Sequence, residues 1–235
     1  MATSTVSTMD LGSVDRVLLP NGVRLNCARS GSGAPAVLLH GLGHDTTTWD
    51  PVPLPVHRHA FDLRGHGRSD RTPTYSLELM ADDVIHALTL LGLDRPLVIG
   101  HSMGAVVASL VAAERPDLVG DLVLEEPRPP VPADPPAASM PNPEDETLPY
   151  DWRVVRDIRV QIDNPAPNRR EALSAITART LVIAGGPTSQ IPQDALAEYA
   201  GMIKDSTLVT IDAGHTPHRD ASDEFLAVVT EWLSS

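Results

Sequence analysis

The chain has 235 residues, a length that suits one hydrophobic core, and 42% apolar but only 3% aromatic residues, so Leu, Val, Ile and Ala must fill the interior. A net charge of −13 without clustered Lys or Arg excludes a nucleic-acid partner, and an anionic membrane surface would repel the chain. The single cysteine, Cys27, excludes an internal disulfide and any cysteine-based metal site, reads as a small buried hydrophobe and is compatible with a cytoplasmic location.

The start, Met1 to Asp10, is polar, with neither the basic nor the apolar region of a signal peptide, and residues 1–15 are expected to be disordered. No apolar run approaches the roughly 18 residues of a membrane span. Val17-Leu18-Leu19 and Val23-Arg24-Leu25-Asn26 flank Pro20-Asn21-Gly22, where Asn-Gly is expected to supply the positive φ angles of a hairpin turn. Ala36–Leu39, Pro96–Ile99, Asp121–Leu124 and Thr180–Ile183 are short continuous apolar runs, as strands covered on both faces require.

Between the runs lie helical patterns. From Ser76 to Leu91, the residues Leu77, Met80, Ala81, Val84, Leu88 and Leu91 form one stripe, and Gly92 is placed to end the helix. Further helices are predicted over Met103–Glu114, Gln193–Ile203 and Asp223–Leu233, with Leu208–Ile211 as the last strand. Strands alternating with helices predict an α/β fold with a mostly parallel sheet. The stretch from Pro127 to Pro149, with nine prolines and several acids, breaks the alternation and leads into two short helices, Trp152–Ile162 and Arg169–Ile176. The division that follows is a core of residues 16–126 and 179–235 with an insertion at 127–178.

The segment Leu97-Val98-Ile99-Gly100-His101-Ser102-Met103-Gly104-Ala105 runs from strand through a tight turn into a helix, with Ser102 at the turn. Small residues at Gly100 and Gly104 let the helix start pass close to the strand end, and the helix N-terminus directs its free N–H groups at the same spot. A serine so placed is a candidate nucleophile, and it needs a base and a group to orient that base. His215, in Asp212-Ala213-Gly214-His215-Thr216, follows the last strand and is the candidate base. His218, the other late histidine, is expected to face solvent, with substrate contact as the alternative.

From about Leu18 to Leu233 the chain resembles the α/β-hydrolase fold superfamily, on three motifs in order. These are His40-Gly41-Leu42-Gly43, Asp62-Leu63-Arg64-Gly65-His66-Gly67-Arg68-Ser69 and the serine elbow. The resemblance implies a mostly parallel sheet flanked by helices, and an oxyanion hole formed by the backbone N–H groups of Leu42 and Met103. It also implies a structural turn at the second motif, with Asp62 and Arg64 paired to each other. The acid departs from the usual pattern, because the turn Gly185–Pro192 after the penultimate strand holds no carboxylate and Asp194 reads as a helix-terminus charge. Members that carry the acid one strand earlier match Leu122-Val123-Leu124-Glu125-Glu126-Pro127. Glu126 is the preferred acid by its acid-proline ending, and Glu125 is the alternative.

The implied activity is hydrolysis of a small ester, lactone or thioester through Ser102, His215 and Glu126, with no metal or organic cofactor. Pocket walls are expected at Leu42, Trp49, Met103, Met140 and Trp152 under a short Pro-rich lid. Non-hydrolytic chemistry on the same serine and histidine is the alternative, followed by a binding protein that has lost catalysis.

Overall fold

A computed structural model describes residues 13–132 and 148–235. Eight strands form one sheet: β1 (Ser13–Leu18), β2 (Arg24–Ser30), β3 (Pro35–Leu39), β4 (His57–Phe61), β5 (Leu97–His101), β6 (Asp121–Glu125), β7 (Arg179–Ala184) and β8 (Ser206–Thr210). Their spatial order is β1-β2-β4-β3-β5-β6-β7-β8, antiparallel through β2 and β4 and parallel from β4 to β8. The alternation along the inner strands explains their unbroken apolar sequence. Val37, Leu39, Val98, Leu122, Leu124 and Val182 enter one core, while Ala36, Leu38, Ile99, Val123, Leu181 and Ile183 enter another.

The first core is closed by α1 (Leu77–Leu91) and α2 (Met103–Glu114), and the second by α7 (Ser222–Ser234) with Trp49 of a 3₁₀ turn at Thr46–Trp49. The ends of α1 obey their sequence signals. Ser76 accepts from the Leu79 amide at 3.0 Å, and Gly92 closes the helix in the left-handed conformation at φ 60°. Helices α3 (Trp152–Asp163) and α4 (Arg169–Ala175) lie between β6 and β7, α5 (Gln193–Gly201) between β7 and β8, and the short α6 (Pro217–Asp220) precedes α7.

Several expectations are corrected in detail: Ser13, Val14 and Asp15, expected in a disordered start, pair with β2 as the first residues of β1. In the hairpin only Gly22 has positive φ; Pro20 and Asn21 are the central residues of a turn closed by the Gly22 amide on the Leu19 carbonyl at 2.9 Å. The fifth helix stops at Gly201 rather than Ile203. Asp62 and Arg64 do not pair. Arg64 forms a fork with buried Asp83 of α1, with both contacts at 2.5 Å. Asp62 instead accepts from the amides of Thr46 and Arg68 at 2.8 Å and from the Asn26 amide group at 2.9 Å. Cys27 is buried, and burial pushes its thiol up to about 12.

Candidate active site

Strand β5 ends beside β3 and β6, and the chain must reverse into α2 within one residue. Ser102 makes that reversal at φ 51° and ψ −112°, a conformation costly for a residue with a side chain. The flanking glycines are dictated by contact. A Cβ on Gly100 would come within 2.4 Å of the Gly104 carbonyl oxygen, and one on Gly104 within 2.3 Å of the Leu39 carbonyl oxygen. The Ser102 amide is held by the Glu125 carbonyl at 2.9 Å, and its hydroxyl caps nothing in α2. That hydroxyl lies 3.0 Å from His215 Nε2.

His215 follows Gly214 (φ 72°) on the loop after β8, and the amides of Ala213 and Gly214 both donate to the Gly185 carbonyl. The loop after β7 and the loop after β8 are thereby laced together; a Cβ on Gly185 would lie 1.7 Å from the Gly214 carbonyl oxygen. His215 Nδ1 lies 3.1 Å from Glu126 Oε2. Glu126 is fully buried at φ 49°, just beyond the end of β6, with its amide on the Ile183 carbonyl. Its Oε1 accepts from the Gly185 amide at 2.5 Å, and its Oε2 accepts from the Ser189 hydroxyl. The turn that lacks a carboxylate therefore supplies two donors to the carboxylate from the neighbouring strand. Sequence reasoning missed Ser189, since a serine in a turn carries no signal until the acid's position is known.

Glu125 and His218 make a second pair, and the solvated placement expected for His218 is wrong. Both are fully buried. The His218 amide donates to Glu125 Oε1 at 2.6 Å, His218 Nδ1 lies 2.7 Å from Glu125 Oε2, and His218 Nε2 lies 2.8 Å from the Thr48 hydroxyl. Burial pushes the Glu125 carboxyl up to about 7 and the His218 imidazole down to about 3, so below about pH 7 both members of the pair are neutral. The pairing was hidden because it needs the Thr46–Trp49 turn and α6 to meet beside β6, a long-range contact that no local pattern reports. Beside the pair, His101 donates Nε2–H to the His215 carbonyl at 2.8 Å, and burial lowers it to about 3. Among the described residues His101, Glu125 and His218 are the one group whose potential metal-binding atoms converge, within 4.8 Å. Within this group the two contacts between Glu125 and His218, at 2.6 and 2.7 Å, are hydrogen-bonding separations.

The opposite wall is the loop after β3. His40 accepts from the Leu63 amide at Nε2 and so carries its proton on Nδ1, which donates to the Gly41 carbonyl at 2.7 Å. His66 has the same tautomer, accepting from the Gly43 amide at Nε2 and donating from Nδ1 to the Arg64 carbonyl. Burial lowers both rings, to about 4 and about 3, which keeps these roles at neutral pH. Among the described residues the amides of Leu42 and Met103 have no backbone acceptor.

A cavity of about 420 Å³ opens over Ser102 and His215. Of the expected wall residues, Leu42 lines it. Trp49 is packed in the second core and Met103 in the first, Trp152 lies outside the lining, and Met140 falls outside the described residues. The walls are mixed rather than apolar as expected: Leu42, Val155, Ile162 and Ile191 share them with Arg128, Arg159, Asp163, Tyr150 and Gln190.

A parallel-centred sheet with a strained serine at its central strand-to-helix turn defines the α/β-hydrolase class. The chain belongs to the alpha/beta hydrolase family, whose model matches residues 36–228. It is similar to an uncharacterized protein of Mycobacterium tuberculosis, 36% identical over 109 residues that make up 44% of this chain and 32% of that protein. It is also similar to an sn-1-specific diacylglycerol lipase of Mus musculus, 25% identical across 97% of this chain and 90% of the relative. The chain thus spans about a third of the length of the first curated relatives it matches. Among solved structures, an E-2-(acetamidomethylene)succinate hydrolase superimposes with a TM-score of 0.82 at 20% identity, covering 95% of this chain and 100% of that one. An esterase from Thermogutta terrifontis does so with 0.79 at 24% identity, over 94% and 98%. Among the described residues no helix is long and apolar enough to cross a membrane.

Proposed function

We propose that this protein is a serine hydrolase that cleaves a small ester, lactone or thioester through an acyl-enzyme on Ser102. The observation that carries the reading is the continuous chain Ser102 Oγ to His215 Nε2 at 3.0 Å and His215 Nδ1 to Glu126 Oε2 at 3.1 Å, opening on the cavity. Ser102 Oγ attacks the substrate carbonyl while His215 Nε2 takes its proton, and Glu126 stabilises the imidazolium and fixes its tautomer. The oxygen that gains the negative charge is held by the amides of Leu42 and Met103, the second at the N-terminus of α2. As the tetrahedral intermediate collapses, the bond to the leaving group breaks and that group takes the proton from His215. Water, deprotonated by His215, then attacks the acyl carbonyl; the acid leaves and Ser102 regains its proton.

Residues 127–178 serve as the lid in this reading, with Val155, Arg159, Ile162 and Asp163 of α3 along the cavity wall. The named activities of the relatives, among them a lipase, an epoxide hydrolase and a 2-(acetamidomethylene)succinate hydrolase, support hydrolysis in general and leave the acyl group open. Turnover of para-nitrophenyl acetate tests the reaction class. Wild type should show a stoichiometric burst before steady state, and Ser102→Ala should abolish both phases. Hydrolysis retained in Ser102→Ala would sink the proposal.

A further inference from the structure

Two cations face the cavity above Ser102. Arg128 lies in Pro127-Arg128-Pro129-Pro130, two residues beyond Glu126, and all three prolines are buried, so the backbone that carries it is locked. Arg159 comes from the face of α3 that also presents Val155, Ile162 and Asp163, at helical spacings of three and four. Most arginines of this acidic chain are neutralised locally: Arg64, Arg115, Arg153, Arg156, Arg170 and Arg179 each hold an Asp or Glu. Among the described residues Arg128 and Arg159 hold none, and neither takes part in a contact beyond those described. On a chain of net charge −13, two guanidinium groups without carboxylate partners on the wall of one cavity are a positive site in a negative surround.

We propose that Arg128 and Arg159 bind a carboxylate on the acyl substrate, so that the preferred substrate is a half-ester, lactone acid or thioester of a dicarboxylic acid. The inference rests on the serine-hydrolase reading above for the scissile bond, but the anion site stands on its own geometry. A guanidinium fork matches a carboxylate in plane and charge, and such charge-assisted contacts are about twice as strong as neutral ones. The wall charge matches the single charge of one carboxylate group rather than the two charges that a dianionic phosphate concentrates on one group. Asp163 also lines the cavity and is itself engaged, and even counted as a full negative charge it leaves one positive charge in excess. His44, whose pKa burial lowers, adds no charge at neutral pH.

The test compares para-nitrophenyl hydrogen adipate with para-nitrophenyl hexanoate, which differ by a carboxylate in place of a terminal methyl. Wild type should favour the charged ester by roughly tenfold or more in kcat/KM, chiefly through KM, and the double variant Arg128→Gln/Arg159→Gln should bring the ratio near unity. Calorimetry with adipate supplies a readout independent of turnover: wild type binds it, the double variant does not, and inorganic phosphate competes weakly. Equal use of the two esters by wild type, or adipate binding that survives the double substitution, overturns the anion site. Cleavage of neither ester alongside Arg-dependent adipate binding would remove the hydrolase reading and leave the anion site standing. Phosphate competing as well as adipate would overturn the carboxylate assignment.

Discussion

The two adjacent glutamates give a sharp contrast when each is changed to glutamine. In Glu126→Gln the Gly185 amide still requires an acceptor, so the new amide oxygen occupies the Oε1 position and the NH₂ group the Oε2 position. The NH₂ then faces His215 Nδ1, where the mechanism requires an N–H. Two donors cannot share that contact, and His215 is driven to the tautomer with its proton on Nε2, pointing at Ser102 Oγ. It can no longer accept the seryl proton, and the imidazolium also loses its counter-charge. Loss of this kind costs about 10³ to 10⁴ in kcat, or roughly 4 to 5.5 kcal/mol of barrier.

Glu125→Gln should behave differently. The amide oxygen accepts from the His218 amide as before, and the NH₂ donates to His218 Nδ1 in place of the carboxyl proton already implied by a pKa near 7. We expect kcat within about tenfold of wild type. Steady-state hydrolysis of para-nitrophenyl acetate, with thermal melts to establish folding, measures both. A larger loss in Glu125→Gln than in Glu126→Gln would refute the reasoning.

Ser189→Ala removes one donor to Glu126 Oε2 and should lower kcat by about tenfold with little change in KM; an unchanged kcat would remove Ser189 from the positioning of the acid. Arg64→Met leaves the buried Asp83 charge without its counter-ion, with the Asn21 amide group still donating to it, and should cost about 3 to 5 kcal/mol in a urea melt, much of it recovered in Arg64→Met/Asp83→Leu. Simple additivity of the two changes would show that the pair is not coupled. His40, His66, His101 and His218 are held neutral by burial, with pKa values of about 4, 3, 3 and 3. Below the unfolded value near 6.5 the unfolded chain gains protons that the folded chain refuses, so stability should fall from pH 6.5 downward. Glu125 acts in the opposite sense. Raised to about 7, it stabilises the fold fully below 4.5 and loses that contribution as pH climbs to 7, one proton against five once His59, also lowered to about 4 by burial, is counted. Melting temperature should therefore drop between pH 7 and pH 5, and drop more steeply in Glu125→Gln; a flat profile would contradict the neutral assignment.

Local patterns made much of the frame legible. The stripe from Leu77 to Leu91 between Ser76 and Gly92, and the unbroken apolar runs of β3, β5, β6 and β7, each report a local cause. The serine turn is readable for the same reason, since Gly100 and Gly104 answer to steric contacts within one strand-turn-helix unit. Contacts made by chain closure were not readable. Arg64 has Asp62 as its near neighbour in sequence, yet its partner is Asp83 on α1. His218 looked solvent-facing because nothing in Pro217–Asp220 shows that Thr48 and Glu125 enclose it. The cavity walls were only partly legible, because Trp49, an obvious apolar candidate, is drawn into the second core, while Arg128 and Arg159 stand among the aliphatic residues that line the cavity.

The central claim is that the Ser102 hydroxyl is made nucleophilic by His215 oriented on Glu126. The direct measurement is covalent labelling with a fluorophosphonate, with the adduct located by peptide mass spectrometry. One adduct per chain on Ser102 in wild type, none in Ser102→Ala and a greatly slowed reaction in His215→Ala and Glu126→Gln is the predicted result. Folded wild-type protein that takes no label, or takes it at another residue, would contradict the account.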